Sequence, residues 1–200
     1  MEITAAKNTK EKILQVGADI IHHKGFNHTG LQEILQAAEV PKGSFYNYFK
    51  NKEDFGLQVV DHFVNHFGGL AKSVLEDSTI SPLKRIENLL DFFIDYFQSE
   101  DFARGCPIGN LSQEMGDLSP AFRERLKYAI DQIAQFYAKT LIEAQIAGEI
   151  PESLDVREAA YFLVSSWHGA LMRMKIVKNP HPLKNHKKFI FDFILNPKKP

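Results

Sequence analysis

The residues with the clearest capacity for chemistry lie in the segment PKGSFYNYFKNKEDF, residues 41–55. On a helix that turns about 100° per residue, Phe45 and Phe49 share one side, with Tyr48 beside them. The other side carries small or donor-bearing residues, with lysines at both ends: Gly43, Ser44, Tyr46, Asn47, Lys42, Lys50 and Lys52. Lysine neutralises phosphate charge, while hydroxyl and amide groups bond to phosphate oxygens and base edges. The pattern predicts a helix anchored by its phenylalanines that offers its other side to a DNA groove.

The single cysteine, Cys106, precedes Pro107 in ARGCPIGN, and proline is typical of a first helical position. A thiol there faces exposed backbone amides and lies near Arg104, which lowers the thiol pKa from its free value of about 8.5. A thiolate so favoured reacts with electrophiles and oxidants. A lone cysteine is also a small apolar residue that packs in cores, so both interpretations remain open.

His62 and His66 stand four residues apart within an apolar helical stripe, a spacing that zinc ligands can use. No third ligand is recognisable and packed histidines are the more common arrangement, so we predict no metal. The sequence also lacks a nucleophile elbow, a phosphate-binding loop, a paired-carboxylate pattern and HExxH. We therefore expect neither catalysis nor a cofactor.

Apolar residues recur at helical spacing along nearly the whole chain, which predicts an all-α fold. The predicted helices are one ending at Gly25, Thr29–Ala38 with Thr29 as N-cap, Pro41–Phe49, Lys52–Leu75, Pro82–Ser99 after Ser81, a short helix from Pro107, Pro120–Ala147 after Ser119, one capped by Asp155 and ending at Val177, and Leu183–Leu195. The two short helices joined by a tight turn predict a helix-turn-helix unit. We expect a three-helix N-terminal domain, residues 1–53, and a larger helical domain, residues 54–200.

Length and composition restrict the class of protein. The 200 residues are 44% hydrophobic, which is enough for one or two domains with buried cores. Lysines outnumber acids by seven to five in residues 1–52, which makes this segment +2 and the remainder −3, a mild asymmetry that alone establishes no nucleic-acid partner. No apolar run is long enough for a membrane span, and the N-terminus lacks a secretory signal. With one cysteine, which suits a reducing compartment, we predict a cytoplasmic protein without a membrane partner.

The stretch TGLQEILQAAEVPKGSFYNYFKNKEDF closely resembles the helix-turn-helix of the tetracycline-repressor (TetR) family, above all in Gly-Ser-Phe-Tyr-x-Tyr-Phe-x-x-Lys-Glu. It departs at Ala38-Glu39-Val40-Pro41, where many members have glycine near the turn and serine before the lysine. The resemblance covers about the first 55 residues and implies an all-α, homodimeric, ligand-responsive transcriptional regulator of about nine helices, usually a repressor. Carried over by position, the residues at double-stranded operator DNA are Thr29, Lys42, Gly43, Ser44, Tyr46, Asn47, Tyr48 and Lys52.

The resemblance further implies a small-molecule effector pocket among the middle helices and a dimer interface on the last two. Aromatic, histidine, methionine and cysteine side chains make the pocket set: His62, Phe63, His66, Phe93, Tyr96, Cys106, Met115, Tyr137 and Trp167. Apolar stripes make the dimer set: Phe162, Leu171, Met174, Phe189 and Phe193. Intramolecular core is the alternative for both sets.

We expect effector binding or modification of Cys106 to release the regulator from its operator. The alternative function is a helical adaptor that binds protein through the aromatic segment and does not bind DNA. Salt dependence distinguishes the two, since only DNA binding weakens steeply as salt rises.

Overall fold

The computed structural model describes residues 2–195, with side chains from residue 9 onward. Over this range the chain forms nine α-helices and a final π-helical turn, with no strand, so the all-α prediction is confirmed. The helices are α1 (Glu2–Lys24), α2 (Leu31–Ala37), α3 (Lys42–Phe45), α4 (Lys52–Leu75), α5 (Pro82–Ser99), α6 (Pro107–Met115), α7 (Pro120–Ile146), α8 (Val156–Val177) and α9 (His181–Phe189), and the π-helical turn is Ile190–Leu195.

Most helix limits follow local signals in the sequence. Gly25 ends α1 with a φ of +88°, a conformation that glycine adopts without a Cβ penalty. Asp155 caps α8, because its Oδ1 accepts hydrogen bonds from the amides of Arg157 at 3.0 Å and Glu158 at 3.1 Å. Helices α4 and α5 begin and end where the sequence predicts.

The prediction that Thr29 caps α2 is wrong. Gly30 occupies the N-cap position and makes no side-chain capping bond. Thr29 is fully buried, and its hydroxyl donates to the carbonyl of Gly25 at 2.6 Å. The Thr29 side chain therefore stabilises the connection between α1 and α2 and does not cap α2.

Two other helix limits differ from the prediction. Helix α3 is four residues long and does not run to Phe49, although the Phe49 amide still donates to Phe45 O at 3.0 Å. Helix α9 begins at His181, because Pro182 lies within its first turn where a missing amide costs nothing. The chain beyond Phe189 winds more widely, as a π-helical turn.

The chain divides into two compact units. The first combines residues 1–66 with 107–129, and the second combines residues 67–106 with 130–200. The helix-turn-helix thus shares a compact unit with α6 and the start of α7. The functional division into residues 1–53 and 54–200 stays a prediction.

Phenylalanines dominate the core of the first unit. The buried rings are Phe26, Phe45, Phe49, Phe55 and Phe122. Phe26 and Phe122 pack at 4.9 Å between ring centroids, and a Cβ at Gly56 would collide with both rings. The packing of α4 against its neighbours in this unit therefore requires glycine at position 56.

The second unit packs α5, α7, α8 and α9 around a continuous apolar core. Arg85 is a buried charge within it: its guanidinium donates to the carbonyl of Leu75, the last residue of α4, and to the carboxylate of Glu143. A helix C-terminus carries partial negative charge, so this cation stabilises the end of α4. Among residues 2–195, no helix combines the length and the apolarity that a membrane span requires.

Candidate nucleic-acid interface and effector region

The surface of α3 and the turn after it has the orientation that the helical wheel predicts. Phe45 and Phe49 are buried, whereas Tyr46 keeps 55% of its surface exposed and Asn47 is also exposed. The other predicted outward residues are exposed or half-buried: Lys42, Gly43, Ser44 and Lys50. Tyr48, which the wheel places beside the phenylalanines, is half-buried. A Cβ at Gly43 would meet no atom within 4 Å, so this side is sterically open.

An aromatic trio holds α3 in place. Phe45 and Phe49 stack at 4.9 Å between centroids, and both contact Phe55 of α4, at 5.7 and 5.0 Å. Phe55 in turn packs where Gly17 of α1 leaves room, because a Cβ there would collide with its ring. Helices α1 and α4 thereby fix the short helix from its buried side.

The turn between α2 and α3 uses a left-handed residue that is not glycine. Glu39 has a φ of +54°, and the next amide, Val40 N, donates back to Leu35 O at 2.9 Å. The Glu39 carboxylate accepts from Lys12 Nζ of α1 at 3.0 Å. This is the position where the sequence departs from the glycine of many family members.

Ion pairs remove some of the cations that the helix-turn-helix could present. Lys24 Nζ donates to both Glu33 oxygens, at 2.7 and 2.9 Å, and this bond lowers the pKa of the Glu33 carboxyl. Lys12 is paired with Glu39. Lys42 and Lys50 have no ion pair with any other residue in the described part of the chain, so positive charge stands at both ends of the segment formed by α3 and the turn after it.

Two predicted DNA contacts have other roles in the structure. Thr29 has no exposed surface, so its hydroxyl cannot reach a phosphate. Lys52 Nζ donates to the carbonyl of Phe26 at 2.7 Å and lies 4.5 Å from the centre of its ring. Burial lowers the pKa of the Lys52 ammonium, and the charge of Glu114 opposes that shift. Thr29 is therefore corrected to an internal position, whereas Lys52 is half-buried and its place near a backbone phosphate stays a prediction.

One polar contact of the first unit was not found by sequence reasoning. Glu114 of α6 accepts hydrogen bonds from the backbone amides of Phe26 and Asn27, at 2.8 and 2.7 Å. Phe26 and Glu114 are 88 positions apart, so no spacing in the sequence points to this contact.

The predicted effector set is divided between the two compact units. His62, Phe63, His66 and Met115 lie in the first unit. Phe63 is buried there, with its ring centroid 5.4 Å from that of His22. Met115 is buried as well, and its sulfur accepts a hydrogen bond from the side-chain nitrogen Nδ2 of Asn27 at 3.4 Å. These two contacts serve the packing of the first unit, and the assignment of Phe63 and Met115 to an effector pocket stays a prediction.

The two histidines of α4 stack with parallel rings, 6.4 Å between centroids. Burial lowers the pKa of His62, and the charge of His66 lowers it further. Within the described residues, no group of three or more histidine, cysteine, aspartate or glutamate side chains could hold a metal ion.

The other predicted effector residues lie in the second unit: Phe93, Tyr96, Cys106, Tyr137 and Trp167. Phe93 and Tyr96 of α5 are half-buried and contact the ring of Phe67 in α4, at 6.4 and 6.0 Å. Burial raises the pKa of the Tyr137 phenol, and charge on Cys106 raises it further, so these two groups interact. Trp167 is buried with its ring 5.2 Å from that of His186 in α9, an interior contact.

A strained connection leads into Cys106. Asp101, Phe102 and Arg104 have φ between +51° and +62°, and Gly105 follows at +74°. Left-handed backbone costs about 1–2 kcal/mol for each non-glycine residue. Cys106 is half-buried at the end of this segment, and α6 begins at the next residue. Backbone strain of this kind is concentrated at ligand-binding sites and switch regions of proteins.

The predicted dimer residues divide into an exposed and a buried group. Phe162, Phe189 and Phe193 are each more than half exposed. Leu171 and Met174 are buried in the core of their own subunit, so they add no surface to an interface, and their assignment is corrected. Sequence periodicity did not single out three exposed positions further along the same helix as Phe162, which are Gly169, Met172 and Ile176.

Comparison with known proteins places the whole chain among transcriptional regulators. Residues 13–59 match the family described as "Bacterial regulatory proteins, tetR family", and residues 82–190 match "Tetracyclin repressor-like, C-terminal domain". The HTH-type transcriptional repressor DhaR of Mycobacterium sp. (strain GP1) is 36% identical over 186 residues, 93% of this chain and 92% of DhaR.

Solved structures agree with this similarity. Regulatory protein TetR from Rhodobacter sphaeroides has a TM-score of 0.85 at 34% identity, covering 90% of this chain and 96% of that chain. Escherichia coli NemR in its reduced form has a TM-score of 0.82 at 27% identity, covering 96% of this chain and 100% of that chain.

The left-handed turn residue leads to a stability prediction. Glu39→Gly removes a Cβ penalty, whereas Glu39→Ala keeps it, and both lose the exposed pair with Lys12, which contributes little. We expect the glycine variant to exceed the alanine variant by about 1 kcal/mol in free energy of unfolding, measured by urea denaturation. Equal stability of the two variants would show that position 39 carries no strain.

Proposed function

Since this chain belongs to the TetR family of bacterial regulatory proteins, we propose that it is a repressor that binds operator DNA as a homodimer. An effector molecule, or covalent modification of Cys106, releases it. The observation that carries the proposal is the outward side of α3 and the turn after it, where Tyr46 and Asn47 are exposed over buried phenylalanines. Lys42 and Lys50, at the two ends of this segment, have no ion pair within the described part of the chain.

The chemistry of this side suits a major groove. Lys42 and Lys50 supply charge to phosphates, and Tyr46 and Asn47 supply donors for base edges or phosphate oxygens. Gly43 and Ser44 leave room for close approach of the backbone. Tyr48 is half-buried and lies at the margin of the contact.

A homodimer carries two copies of α3, one for each half of an operator. Two recognition helices must be about 34 Å apart to read successive turns of one DNA face. The exposed phenylalanines Phe162, Phe189 and Phe193, with Met172 and Ile176, provide an apolar face that a second copy would bury. Gly169 leaves space on α8 for close approach of a partner helix.

The effector region is proposed within the second unit, around Phe93, Tyr96, Tyr137 and Cys106. Phe93 and Tyr96 contact Phe67, so a molecule that displaces these rings also displaces α4. Helix α4 is continuous back to Lys52, next to the helix-turn-helix. An effector that prefers the displaced arrangement shifts the population away from the DNA-binding form.

Thiol modification is the second proposed trigger. Cys106 is the one cysteine of the sequence, it is half-buried, and it follows a strained segment. The relative NemR has been solved in a reduced form, which supports including thiol chemistry in the proposal. Bonding of the sulfur to an electrophile would add bulk at the start of α6 and would remove the thiolate charge that raises the pKa of Tyr137.

The same proposal covers location and the exclusion of catalysis. Binding to chromosomal operator DNA requires a cytoplasmic protein, and a regulator of this kind needs neither a catalytic step nor a cofactor. An adaptor that binds protein through α3 is the competing outcome of the experiment below.

Operator binding should be strongly salt-dependent. With an operator obtained by selection from random duplexes, Lys42→Ala should reduce the slope of log affinity against log salt by about 2 for a dimer, since one phosphate contact is lost per subunit. Tyr46→Ala should weaken binding about tenfold or more at constant slope. Lys84→Ala, which removes the same charge from the second unit, is the control and should change neither. Salt-independent binding, or selection of no duplex at all, would favour the adaptor.

The dimer face can be tested separately. Phe189→Glu combined with Phe193→Glu should yield folded monomers, because two carboxylates per subunit would have to be buried in the interface. Sedimentation velocity measures the state, and operator affinity should fall with it. Tyr128→Glu, also at an exposed aromatic residue, should leave the dimer intact. A dimer that survives the double substitution would place the interface elsewhere.

Cys106 offers a clean chemical test because it is the one thiol of the sequence. Treatment with N-ethylmaleimide should lower operator affinity of the wild type by about 5- to 150-fold, the range typical of allosteric coupling. Cys106→Ser should bind the operator with wild-type affinity, and N-ethylmaleimide should leave that affinity unchanged. Equal loss of binding in both proteins, or no loss in the wild type, would remove thiol modification from the proposal while leaving effector release in place.

A further inference from the structure

The α1–α2 loop, residues 25–30, is held by side chains that come from elsewhere in the first unit. Both Glu114 oxygens are used: Oε2 accepts from Phe26 N at 2.8 Å and Oε1 from Asn27 N at 2.7 Å. Within the described residues, neither of these two loop amides donates to a backbone carbonyl, and the Glu114 carboxylate accepts from both. A carboxylate that accepts two amide bonds is a strong, charge-assisted contact.

The other polar groups of the loop are bonded as well. Lys52 Nζ of α4 donates to Phe26 O at 2.7 Å, and the Thr29 hydroxyl donates to Gly25 O at 2.6 Å. The charge of Glu114 also acts on the Lys52 ammonium. The loop backbone is therefore fixed from two sides, by an anion on α6 and a cation on α4.

The backbone at the start of the loop is fitted to this carboxylate. Gly25 has a φ of +88°, and a Cβ there would lie 2.9 Å from Glu114 Oε2. Glycine is favoured here for its conformation, and a larger residue would push the Glu114 carboxylate away from its two bonds. The last residue of α6 adds a further contact, since Asn27 Nδ2 donates to Met115 Sδ at 3.4 Å.

Helix α6 is a suitable element to set the position of the loop. It is nine residues long, begins directly after Cys106, and carries Glu114 in its last turn. Its C-terminal end is fixed to α7 because Arg123 Nε donates to Gly116 O at 2.8 Å. The loop leads into α2, and the hydrogen-bonded turn at Glu39 connects α2 to α3, so displacement of the loop is transmitted to α3 through α2.

We propose that Glu114 is a positioning residue for operator binding: through its two hydrogen bonds to the α1–α2 loop, α6 sets the place of the helix-turn-helix. Glu114 itself touches no DNA. This role rests on the proposed function and adds a named residue, outside the DNA-binding motif, on which that function depends.

The test uses the full-length dimer and Glu114→Gln. Glutamine keeps the size of the side chain, but its NH2 group cannot accept from the second loop amide. We expect faster hydrogen exchange at the amides of Phe26 and Asn27, and about tenfold or greater loss of operator affinity at an unchanged salt slope. Glu124→Gln, at an exposed glutamate of α7, is the matched control and should match the wild type in all three measurements.

A conservative variant separates positioning from general stability. Glu114→Asp keeps the carboxylate on a shorter stem and should recover part of the operator affinity, and it replaces the glutamine variant should that one not fold. Faster exchange in Glu114→Gln with unchanged operator affinity would reduce the contact to a structural one and overturn the proposal. Unchanged exchange would also overturn it. Failure of the proposed function is distinguishable, because the wild type itself would then bind no duplex.

Discussion

The burial of Phe45 and Phe49 is the constraint on which the DNA-facing surface depends. Helix nucleation is unfavourable, so a four-residue helix such as α3 has no stability of its own. Each fully buried phenylalanine contributes about 1.5–3 kcal/mol, and both rings pack against Phe55 of α4. Once these two positions are fixed, the helical period directs Tyr46 outward, and Asn47 follows in the turn. The recognition surface is thus specified by what lies beneath it, and its polar residues remain available for a ligand.

Ion pairs between side chains, more than the overall composition, decide which lysines of the helix-turn-helix remain available to a ligand. The chain has a formal net charge of −1, which gives no sign of affinity for a polyanion. Glu33 and Glu39 neutralise Lys24 and Lys12, and Lys52 is bonded to a backbone carbonyl. Lys42, at the start of α3, and Lys50, after the turn that follows it, are left without ion pairs in the described part of the molecule. These two ammonium groups are therefore available for phosphates, and Debye screening at physiological salt, over about 8 Å, weakens the effect of more distant charges on them.

Local patterns in the sequence predicted what depends on local physics. Helical periodicity, Gly25, Asp155 and the Lys52 start of α4 all appear where expected, and so does the outward side of α3. Errors arose where tertiary contacts decide. Thr29 has the sequence signal of an N-cap and a phosphate contact, but it is buried and its hydroxyl bonds to the carbonyl of Gly25. Leu171 and Met174 lie on an apolar stripe that periodicity cannot divide between subunit core and interface. Glu114 gave no signal at all, because its partners are backbone amides far along the chain.

The first compact unit is built from two separate pieces of chain, which has a consequence for biosynthesis. Ser119 bonds to Glu53 across 66 positions, and Phe122 packs on Phe26. A ribosome releases the helix-turn-helix well before it makes residues 107–129. During that interval the ring of Phe26 has no Phe122 to cover it, and the following loop amides have only water as acceptor. Truncated products that stop before α7 therefore contain the helix-turn-helix without the contacts that Ser119 and Phe122 make to it.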